Sequence, residues 1–395
     1  MTITEAPIRE QIQELLREGR EGAIRREKTA FDQAVGPRGR SLVLFGAGGI
    51  GRKTLRGLRE VGIEPLAFTD NNTALWGTEV NGVPVIPPKE AAARYAQSAA
   101  FVVTIWCGEG QDRMRDRTGF LRGLGCTHIV TFGQLFWKYP GIYLPHYSAA
   151  PAHQVHEQAA EVIEAAALWA DDASRREYLS QLRWRLAFDF DGLADPVEHP
   201  IYFAPDLYSL NPEEVFIDCG AYDGDTVRDF LKLAKGSFRK IVAFEPDPAS
   251  FRRLSQFVST LPCKESIELH EAATGAAKGV VRFTGDGTSA AYVGSGQLSV
   301  NCVTLDDALR DLTPTFIKMD IEGAEIDTIR GASRVIHDHA PVLAICSYHK
   351  QDHLWNIPRL IHSIRQDYRF YLRPHLIEVW DLVCYAVPGQ RGGSQ

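Results

Sequence analysis

The 395-residue sequence lacks several features that would each place it in a familiar class of protein. It contains no apolar run long enough for a membrane-spanning helix, and its charged first residues do not resemble a secretory leader. Its seven cysteines include no closely spaced pair, so their spacing indicates neither a zinc site nor a disulfide framework. We therefore expect free, mostly buried thiols, a cytoplasmic protein and no membrane partner.

The sequence also has no excess of positive charge: its 50 acidic residues outnumber its 43 lysines and arginines, and the formal net charge is −7. Proteins that bind nucleic acids need a basic face for the phosphates, so this balance argues against a nucleic-acid partner. The length is sufficient for two domains, each with its own core. We predict an N-terminal helix (1–36), a first α/β domain (37–138), a linker with bridging helices (139–212) and a second α/β domain (213–390).

Short apolar strands alternate with helical stretches in both halves of the chain. This pattern is typical of α/β domains with parallel sheets and right-handed crossovers. The first domain offers about four or five strands, beginning with 41–45. The second offers seven, beginning with 215–219. Its last two strands, 368–372 and 383–387, have no long helix between them, which predicts an antiparallel end to the sheet.

Each half carries a glycine-rich turn followed by an acidic residue at the end of the next strand. The first turn contains Gly46, Gly48 and Gly51 in a G-x-G-x-x-G pattern, with Asp70 following. The second runs from Asp218 to Gly224, with Glu245 following. A strand, a tight turn, a helix and then an acid form the local architecture that holds a nucleoside. The sequence thus predicts two candidate nucleotide sites.

The second turn differs from a pyrophosphate-binding turn in spacing and in charge. Its glycines are spaced G-x-x-x-G, and the turn carries the carboxylates Asp218, Asp223 and Asp225. These would repel a pyrophosphate but suit a ligand with an amino group and a sulfonium, such as S-adenosylmethionine. Gly220 allows a close approach to the backbone. Glu245 is placed to accept hydrogen bonds from a ribose diol.

Five motifs in the C-terminal half, in this order, resemble the FkbM family of class I S-adenosylmethionine-dependent methyltransferases. They are VFIDCGAYDGDT (215–226), VAFEPDP (242–248), TLDDAL (304–309), FIKMDIEGAE (316–325) and YRFYLRPHLIEVWDLVCYAV (368–387). The resemblance implies a seven-stranded sheet whose last strand is antiparallel, and methyl transfer, usually to an oxygen. It also implies residues that contact the cofactor: Asp218, Gly220, Asp223 and Glu245, with Glu271 and Ala272 near the adenine.

Methyl transfer needs an acceptor oxygen aligned with the methyl group and a group that takes the proton. The ends of the fourth and fifth predicted strands supply the candidates. Asp320 and Glu322 could bind a substrate hydroxyl or a divalent ion, although acids at a helix start also simply favour the helix dipole. His349 is the candidate general base because an imidazole titrates near neutral pH. His353 shares a helical face with it, which leaves a metal site with Asp320 open.

Further substrate contacts are expected from three places in the second domain. Lys350 could orient an anionic group, and Arg373 and His375 lie at the turn near the final strands. Ser289 belongs to an inserted polar loop, where it could touch the acceptor or only turn the chain.

The first domain resembles the small N-terminal domain of bacterial sugar O-acyltransferases and related carbohydrate-modifying proteins. The resemblance rests on LVLFGAGGIGRKTLRGL (42–58), FTDNN (68–72) and NGVPVIPP (81–88). It implies a Rossmann-like fold in which the turn and the Asp70-Asn71 pair line a nucleotide-sugar pocket. Three interpretations stay open: a sugar or nucleotide-sugar site, an NAD(P) or other nucleotide site, and a scaffold or oligomerisation module.

The sequence as a whole favours an S-adenosylmethionine-dependent O-methyltransferase that acts on a hydroxyl of a sugar, nucleotide sugar or secondary metabolite. Two alternatives belong to other classes. One is a non-catalytic protein that binds nucleotide sugars or serves as a scaffold. The other is an NAD-linked enzyme that uses the first domain. The need for a divalent metal and the formation of a homo-oligomer are left open.

Overall fold

The computed structural model describes residues 7–106, 112–284, 292–293 and 298–391. The chain divides into two compact units. Unit 1 comprises 1–160, 179–195 and 377–380, and unit 2 comprises 161–178, 196–376 and 381–395. The segment expected to bridge two domains, 139–212, is therefore distributed between both units. A short hairpin segment near the C-terminus also belongs to unit 1.

Unit 1 contains a six-stranded sheet in the order β3-β4-β2-β1-β5-β6. Its strands are β1 (Leu42–Phe45), β2 (Ala67–Thr69), β3 (Glu79–Val80), β4 (Val83–Ile86), β5 (Ala100–Val103) and β6 (Ile129–Thr131). Five of them are parallel, and β3 pairs antiparallel with β4 as a short hairpin. The second strand of this hairpin, β4, lies within the motif 81–88, and the hairpin raises the strand count above the four or five expected from the sequence.

The first eight helices precede the methyltransferase-like motifs and belong to unit 1. They are α1 (Ile8–Leu15), α2 (Gly19–Val35), α3 (Gly49–Glu60), α4 (Pro88–Tyr95), α5 (Met114–Gly123), α6 (Phe132–Lys138), α7 (Pro140–Tyr143) and α8 (His153–Glu157). The N-terminal segment expected to form one helix is thus two helices. A turn at 16–18 interrupts the helix and leads into Gly19, whose φ is +68°. Every residue of β1 is buried, as expected for a strand covered on both faces.

Two further helices, α9 (Ala159–Ala166) and α10 (Asp172–Ala187), contribute residues to both units. The main sheet of unit 2 is built from seven strands in the order β16-β17-β15-β14-β7-β8-β9. These are β7 (Val215–Cys219), β8 (Lys240–Phe244), β9 (Ile267–His270), β14 (Phe316–Met319), β15 (Val342–Cys346), β16 (Tyr368–Pro374) and β17 (Leu382–Pro388). Strand β17 is antiparallel to both of its neighbours, which confirms the prediction of an antiparallel end.

Six helices connect the strands of unit 2: α11 (Asp225–Ala234), α12 (Pro248–Ser259), α13 (Leu305–Ala308), α14 (Glu325–Arg330), α15 (Ser333–His339) and α16 (His353–Ile364). A second, four-stranded sheet has the order β10-β13-β11-β12. It consists of β10 (Ala273–Thr274), β11 (Gly279–Thr284), β12 (Tyr292–Val293) and β13 (Leu298–Val303). The sequence predicted only a polar loop in this region, and Ser289 lies outside the described residues.

None of the helices in the described ranges combines the length and the apolar character that a membrane-spanning segment needs. Unit 1 has a large apolar core that surrounds β1 and β5 and includes the aromatic side chains of Trp106, Phe132 and Trp184. Tryptophan rings at 106 and 184 stack with their centroids 5.4 Å apart. This packing shows that the first unit has the core of an independent α/β domain.

The glycines of the first turn differ sharply in the space around them. A Cβ at Gly51 would lie 1.9 Å from the carbonyl oxygen of Gly46, whereas a Cβ at Gly49 would meet no atom within 4 Å. We therefore expect Gly51→Ala to destabilise the protein by about 2–3 kcal/mol through steric overlap. Gly49→Ala, at the first position of α3, should be neutral or slightly stabilising. Urea unfolding of both variants checks this, and equal midpoints would contradict it.

Candidate functional site

Both glycine turns follow the central strand of a sheet, at the point where the strand order reverses. In unit 1 the turn follows β1, which lies between β2 and β5. In unit 2 it follows β7, which lies between β8 and β14. Ligands of open α/β sheets bind in the crevice at such a switch point. The topology is therefore compatible with both candidate sites predicted from the sequence.

In unit 2 the turn after β7 packs tightly against the loop after β14. Gly220 has a φ of +81°. A Cβ at this position would lie 1.9 Å from the carbonyl oxygen of Asp320. Because no side chain fits here, glycine is required for both its backbone conformation and its size. The contact brings two predicted site residues, Gly220 and Asp320, to one place.

A buried ion pair lies beneath this turn. The Nζ of Lys318 is 3.0 Å from Oδ1 of Asp218 and donates a hydrogen bond of 2.6 Å to the carbonyl oxygen of Gly220. Burial opposes the charge of Lys318, but the negative charges around it, that of Asp218 above all, outweigh this and raise the pKa of the lysine. The two charges thus tie β7 to β14 at the edge where the site lies.

Glu245 follows β8 and is held by the backbone of the same turn. Its Oε2 accepts a hydrogen bond of 2.8 Å from the amide of Tyr222, and its Oε1 accepts one of 2.7 Å from the amide of Asp247. Burial raises the pKa of Glu245 to about 7, against the lowering effect of these two amides. Asp247 in turn caps the start of α12 by accepting from the amides of Ala249 and Ser250. The carboxylate is therefore fixed in place.

One cavity of about 310 Å³ in unit 2 is lined by Gly220, Glu245, Lys318 and Asp320, among other residues. Such a volume falls within the range of small-molecule and cofactor sites. One end, which we call the glycine-turn end, is lined by Gly220, Tyr222, Phe244, Glu245, Pro246 and Ala272. The other, which we call the Asp320 end, is lined by Tyr202, Lys318, Asp320, Glu322, Tyr348 and Asp381. Carboxylates thus face the cavity at both ends.

A charged cluster of side chains that do not line the cavity contacts Asp320. His349 is buried, with its Nδ1 2.7 Å from Oε1 of Glu325 and its Nε2 3.3 Å from Oδ1 of Asp320. Burial alone would lower the pKa of His349, but Glu325 and the other nearby carboxylates raise it to about 9. The imidazole is therefore protonated at neutral pH. This argues against the general-base role that the sequence suggested for His349.

His353 belongs to the same charged cluster. Its Nδ1 lies 3.3 Å from Oε2 of Glu325, so both imidazoles are directed at one carboxylate. Burial lowers the pKa of His353 to about 4, although Glu325 opposes this effect. Among the described residues, no group of three or more His, Cys, Asp or Glu side chains has an arrangement that could hold a metal ion.

The structure places five of the predicted site residues on the cavity: Gly220, Glu245, Ala272, Asp320 and Glu322. Seven others do not line it: Asp218, Asp223, Glu271, His349, Lys350, Arg373 and His375. Asp218 is buried beneath the turn, whereas Asp223 pairs with Arg228 at 2.9 Å. The side chains of Glu271 and Lys350 are exposed to solvent.

The two substrate candidates near the final strands take part in internal contacts instead. Arg373 is buried and lies 2.6 Å from Asp171 and 3.4 Å from Asp206. A ring nitrogen of His375 is hydrogen-bonded to the hydroxyl of Tyr385 at 2.8 Å. The side chain of Arg373 therefore links β16 to the start of α10 within unit 2. The positions of these two residues do not support the substrate contacts expected from the sequence.

Several cavity residues were not predicted from the sequence, and four of them carry polar groups at the Asp320 end: Tyr202, Lys318, Tyr348 and Asp381. Tyr202 donates a hydrogen bond of 2.8 Å to Oδ2 of Asp320. It lies in the segment 139–212, for which the sequence predicted only a linker with bridging helices. Asp381 lies inside the motif 368–387, in which only Arg373 and His375 were singled out, and Tyr348 directly precedes the predicted site residue His349. The ion pair could have been suspected from Lys318, because a charged residue within the apolar strand β14 needs a buried partner.

In unit 1 the acid after the second strand repeats the arrangement of Glu245. One oxygen of Asp70 accepts a hydrogen bond of 2.8 Å from the amide of Ala47, and the other accepts one of 2.8 Å from the amide of Asn72. Gly46 has a φ of +117°, and a Cβ at Gly48 would meet no atom within 4 Å. The predicted first turn is therefore formed. Its acid is engaged by the turn itself.

The strand order of unit 2, its single antiparallel strand and the glycine turn after its central strand define the fold of a class I methyltransferase. Residues 218–370 match the family of methyltransferase FkbM domains. The chain therefore carries a methyltransferase domain over this segment. The resemblance inferred from the five sequence motifs is confirmed.

A solved structure described as methyltransferase FkbM from Methylobacillus flagellatus KT shares this fold. It is 24% identical, with a TM-score of 0.75, and the match covers 92% of this chain and 93% of that chain. The resemblance therefore includes unit 1. No curated protein sequence matches the chain at a significant level.

Two other solved structures match only in part. Precorrin-6y C5,15-methyltransferase from Geobacter metallireducens GS-15 is 14% identical, with a TM-score of 0.30, over 46% of this chain and 82% of that chain. A methyltransferase from Geobacter sulfurreducens is 15% identical, with a TM-score of 0.28, over 63% of this chain and 94% of that chain. Scores this low add nothing to the assignment of the fold.

The buried ion pair beneath the turn makes a direct prediction about stability. Lys318→Met leaves Asp218 buried without its partner, and we expect it to lower the free energy of unfolding by about 3–5 kcal/mol. The double variant Asp218→Asn, Lys318→Met removes both charges and should recover much of this loss. Lys240→Met, which removes a half-exposed partner of Glu268, serves as the control and should cost about 1 kcal/mol or less. Urea unfolding measures all three.

Equal losses for Lys318→Met and Lys240→Met would contradict this account of the pair. A double variant that is no more stable than Lys318→Met would do so as well, because the cost would then come from lost packing rather than from an isolated charge.

Proposed function

We propose that the chain transfers the methyl group of S-adenosylmethionine to a hydroxyl group of a small acceptor. One observation carries the proposal: a single cavity joins the glycine turn and Glu245 to the Asp320 end. Transfer between two small molecules needs such a shared space, because the donor and acceptor must be held in line with each other. The family match shows a methyltransferase domain, and the cavity supports this choice of donor and acceptor.

The residues at the glycine-turn end fit this cofactor. Gly220 leaves open backbone where a side chain would block the approach. The carboxylate of Glu245 is placed at the sheet edge to accept hydrogen bonds from the ribose hydroxyls. Phe244, Pro246 and Ala272 supply an apolar surface for the adenine. When bound, S-adenosylmethionine supplies an electrophilic methyl group.

At the Asp320 end the protein's own groups position the acceptor. The hydroxyl of Tyr202 and the imidazolium of His349 hold the carboxylate of Asp320 from two sides, at 2.8 and 3.3 Å. A carboxylate fixed in this way can accept a hydrogen bond from the acceptor's hydroxyl and orient its oxygen. We propose this orienting role for Asp320, and for His349 the role of a fixed positive charge that keeps Asp320 in place.

Charge at the Asp320 end also bears on the class of acceptor. Asp320, Glu322 and Asp381 all face the cavity there. Among the described residues that line this end, Lys318 is the cation, and it is already paired with Asp218. We therefore propose that the reacting part of the acceptor is a neutral hydroxyl compound, such as a sugar or a secondary metabolite. A nucleotide sugar would have to keep its phosphates away from this end.

For unit 1 we keep the proposal of a site for a sugar or nucleotide that assists acceptor recognition. The open space beside Gly48 and Gly49 at the start of α3 supports it, since amides at a helix start attract anionic groups. Because both oxygens of Asp70 are occupied by the turn's own amides, the same geometry also suits a scaffold without a ligand.

The role of Glu245 is tested by the binding of S-adenosylhomocysteine in calorimetry. We expect Glu245→Gln to weaken binding by about ten- to a hundredfold, because hydrogen bonds to a charged acceptor contribute about 1.5–3 kcal/mol. Asp70→Asn, which changes the matching acid of unit 1, is the control and should leave binding unchanged. If Asp70→Asn lost binding while Glu245→Gln bound normally, the cofactor would bind in unit 1, which would contradict this proposal.

The raised pKa of Glu245 adds a pH dependence. Since the carboxylate is ionised above its pKa of about 7 and protonated below it, wild-type affinity should fall as the pH is lowered from 8 to 6. The same measurement on Glu245→Gln should show a much weaker dependence. A wild-type affinity that rises toward pH 6 would overturn the assignment of Glu245 as a hydrogen-bond acceptor.

A further inference from the structure

Asp381 brings a carboxylate to the Asp320 end from a different part of the chain. It immediately precedes β17 and lines the cavity together with Tyr202, Asp320 and Tyr348. Tyr348 is hydrogen-bonded to it through its side chain. None of the sequence motifs singled it out. The cavity thus has two carboxylates near the place where an acceptor hydroxyl would lie, one after β14 and one before β17.

The backbone around the cavity has an unusual conformation at several positions. Ten non-glycine residues in the described part of the chain have a positive φ, and four of them line this cavity. They are Tyr202 (69°), Tyr222 (47°), Glu322 (53°) and Asp381 (47°). Such conformations cost free energy and collect at sites where the position of a side chain matters. The strain at Asp381 therefore supports a role for its carboxylate in the cavity.

The two carboxylates differ in what already occupies them. Asp320 accepts from Tyr202 on one oxygen and faces the imidazolium of His349 on the other. Both oxygens of Asp320 therefore already have a partner. Asp381 has a tyrosine hydroxyl as its hydrogen-bond donor, and its negative neighbour Asp320 favours protonation. Of the two, Asp381 is the better acceptor of a proton.

We propose that Asp381 is the catalytic base that takes the proton from the acceptor hydroxyl during methyl transfer. The acceptor oxygen forms a bond to the methyl carbon as the bond between carbon and sulfur breaks, and the electron pair of that bond goes to sulfur. The hydroxyl proton passes to a carboxylate oxygen of Asp381 and is later released to water. This inference rests on the proposed function, because it assumes a hydroxyl acceptor at the Asp320 end.

The electrostatics of the site agree with this role. Burial and the charge of Asp320 raise the pKa of Asp381 to about 6, against the lowering effects of Tyr348 and His349. The carboxylate is therefore ionised at neutral pH but more basic than an ordinary aspartate, which suits a general base. The titratable groups that face Asp381 are Tyr202, Asp320, Glu322, Cys346, Tyr348 and His349.

Two ligands test this placement without knowledge of the acceptor. Sinefungin carries a protonated amine where S-adenosylmethionine carries its methylsulfonium, whereas S-adenosylhomocysteine is uncharged at that point. If Asp381 faces the reacting position, its negative charge favours sinefungin. We expect the wild-type protein at pH 8 to bind sinefungin more tightly than S-adenosylhomocysteine in calorimetry. The ratio of the two affinities is the measured quantity.

Asp381→Asn is the decisive variant, because asparagine tolerates the left-handed backbone at this position. It should reduce the ratio about tenfold and leave the affinity for S-adenosylhomocysteine near the wild-type value. Asp338→Asn removes an exposed carboxylate elsewhere in unit 2 and is the matched control for net charge. Tyr348→Phe keeps the charge but removes the hydrogen-bond donor. In the wild-type protein the affinity ratio should fall as the pH is lowered through about 6, where Asp381 becomes protonated. In Tyr348→Phe this fall should occur at a higher pH, because the hydrogen bond that lowers the pKa of Asp381 is lost.

The outcomes separate the two proposals. If the wild-type protein binds neither ligand, the proposed function itself fails. If Asp381→Asn binds S-adenosylhomocysteine normally and keeps the wild-type ratio at pH 8, Asp381 does not face the reacting position and the inference is overturned. An unfolded Asp381→Asn variant shifts the decision to Tyr348→Phe, for which an unchanged pH profile would likewise overturn it.

Discussion

The site of unit 2 depends on the buried pair of Asp218 and Lys318. Through its hydrogen bond to the carbonyl oxygen of Gly220, the lysine fastens the end of β7 to the end of β14. The close contact between Gly220 and the carbonyl of Asp320 is formed at the same point. Because parallel strands end at the same edge of a sheet, this fixes the glycine turn and the Asp320 loop next to each other along one cavity. A buried pair of this kind contributes little net stability but is costly to break, which suits a role in positioning.

The two glycine turns use the same internal hydrogen bond and yet differ in their surroundings. In each, the acid after the second strand accepts from a turn amide at 2.8 Å, from Ala47 to Asp70 and from Tyr222 to Glu245. This hydrogen bond therefore belongs to the turn itself and is not by itself evidence of a ligand. In unit 2 the turn also borders a cavity that is lined by carboxylates. The cavity and these carboxylates depend on contacts between strands that are far apart in the sequence.

Much of the sheet of unit 2 could be predicted from the sequence, because its strands are short, apolar and separated by helices. The antiparallel β17 followed from the missing helix between 368–372 and 383–387. Gly220, Glu245 and Asp320 could be placed at the cavity because the ends of parallel strands carry the site. Arg373 and His349 were given direct roles because sequence does not reveal which partners neutralise a charge. Tyr202 and Asp381 were missed for a similar reason, since only the fold brings their loops to the end of β14.

We propose that one cavity of unit 2 holds the cofactor at Glu245 and exposes its reacting atom to Asp320 and Asp381. A crystal structure of the protein with S-adenosylhomocysteine tests this most directly. The account predicts ribose hydroxyls within hydrogen-bond distance of Glu245, and the sulfur atom directed toward the Asp320 end. A ligand bound at the Gly46 turn of unit 1, or one whose sulfur faces away from Asp320 and Asp381, would contradict it.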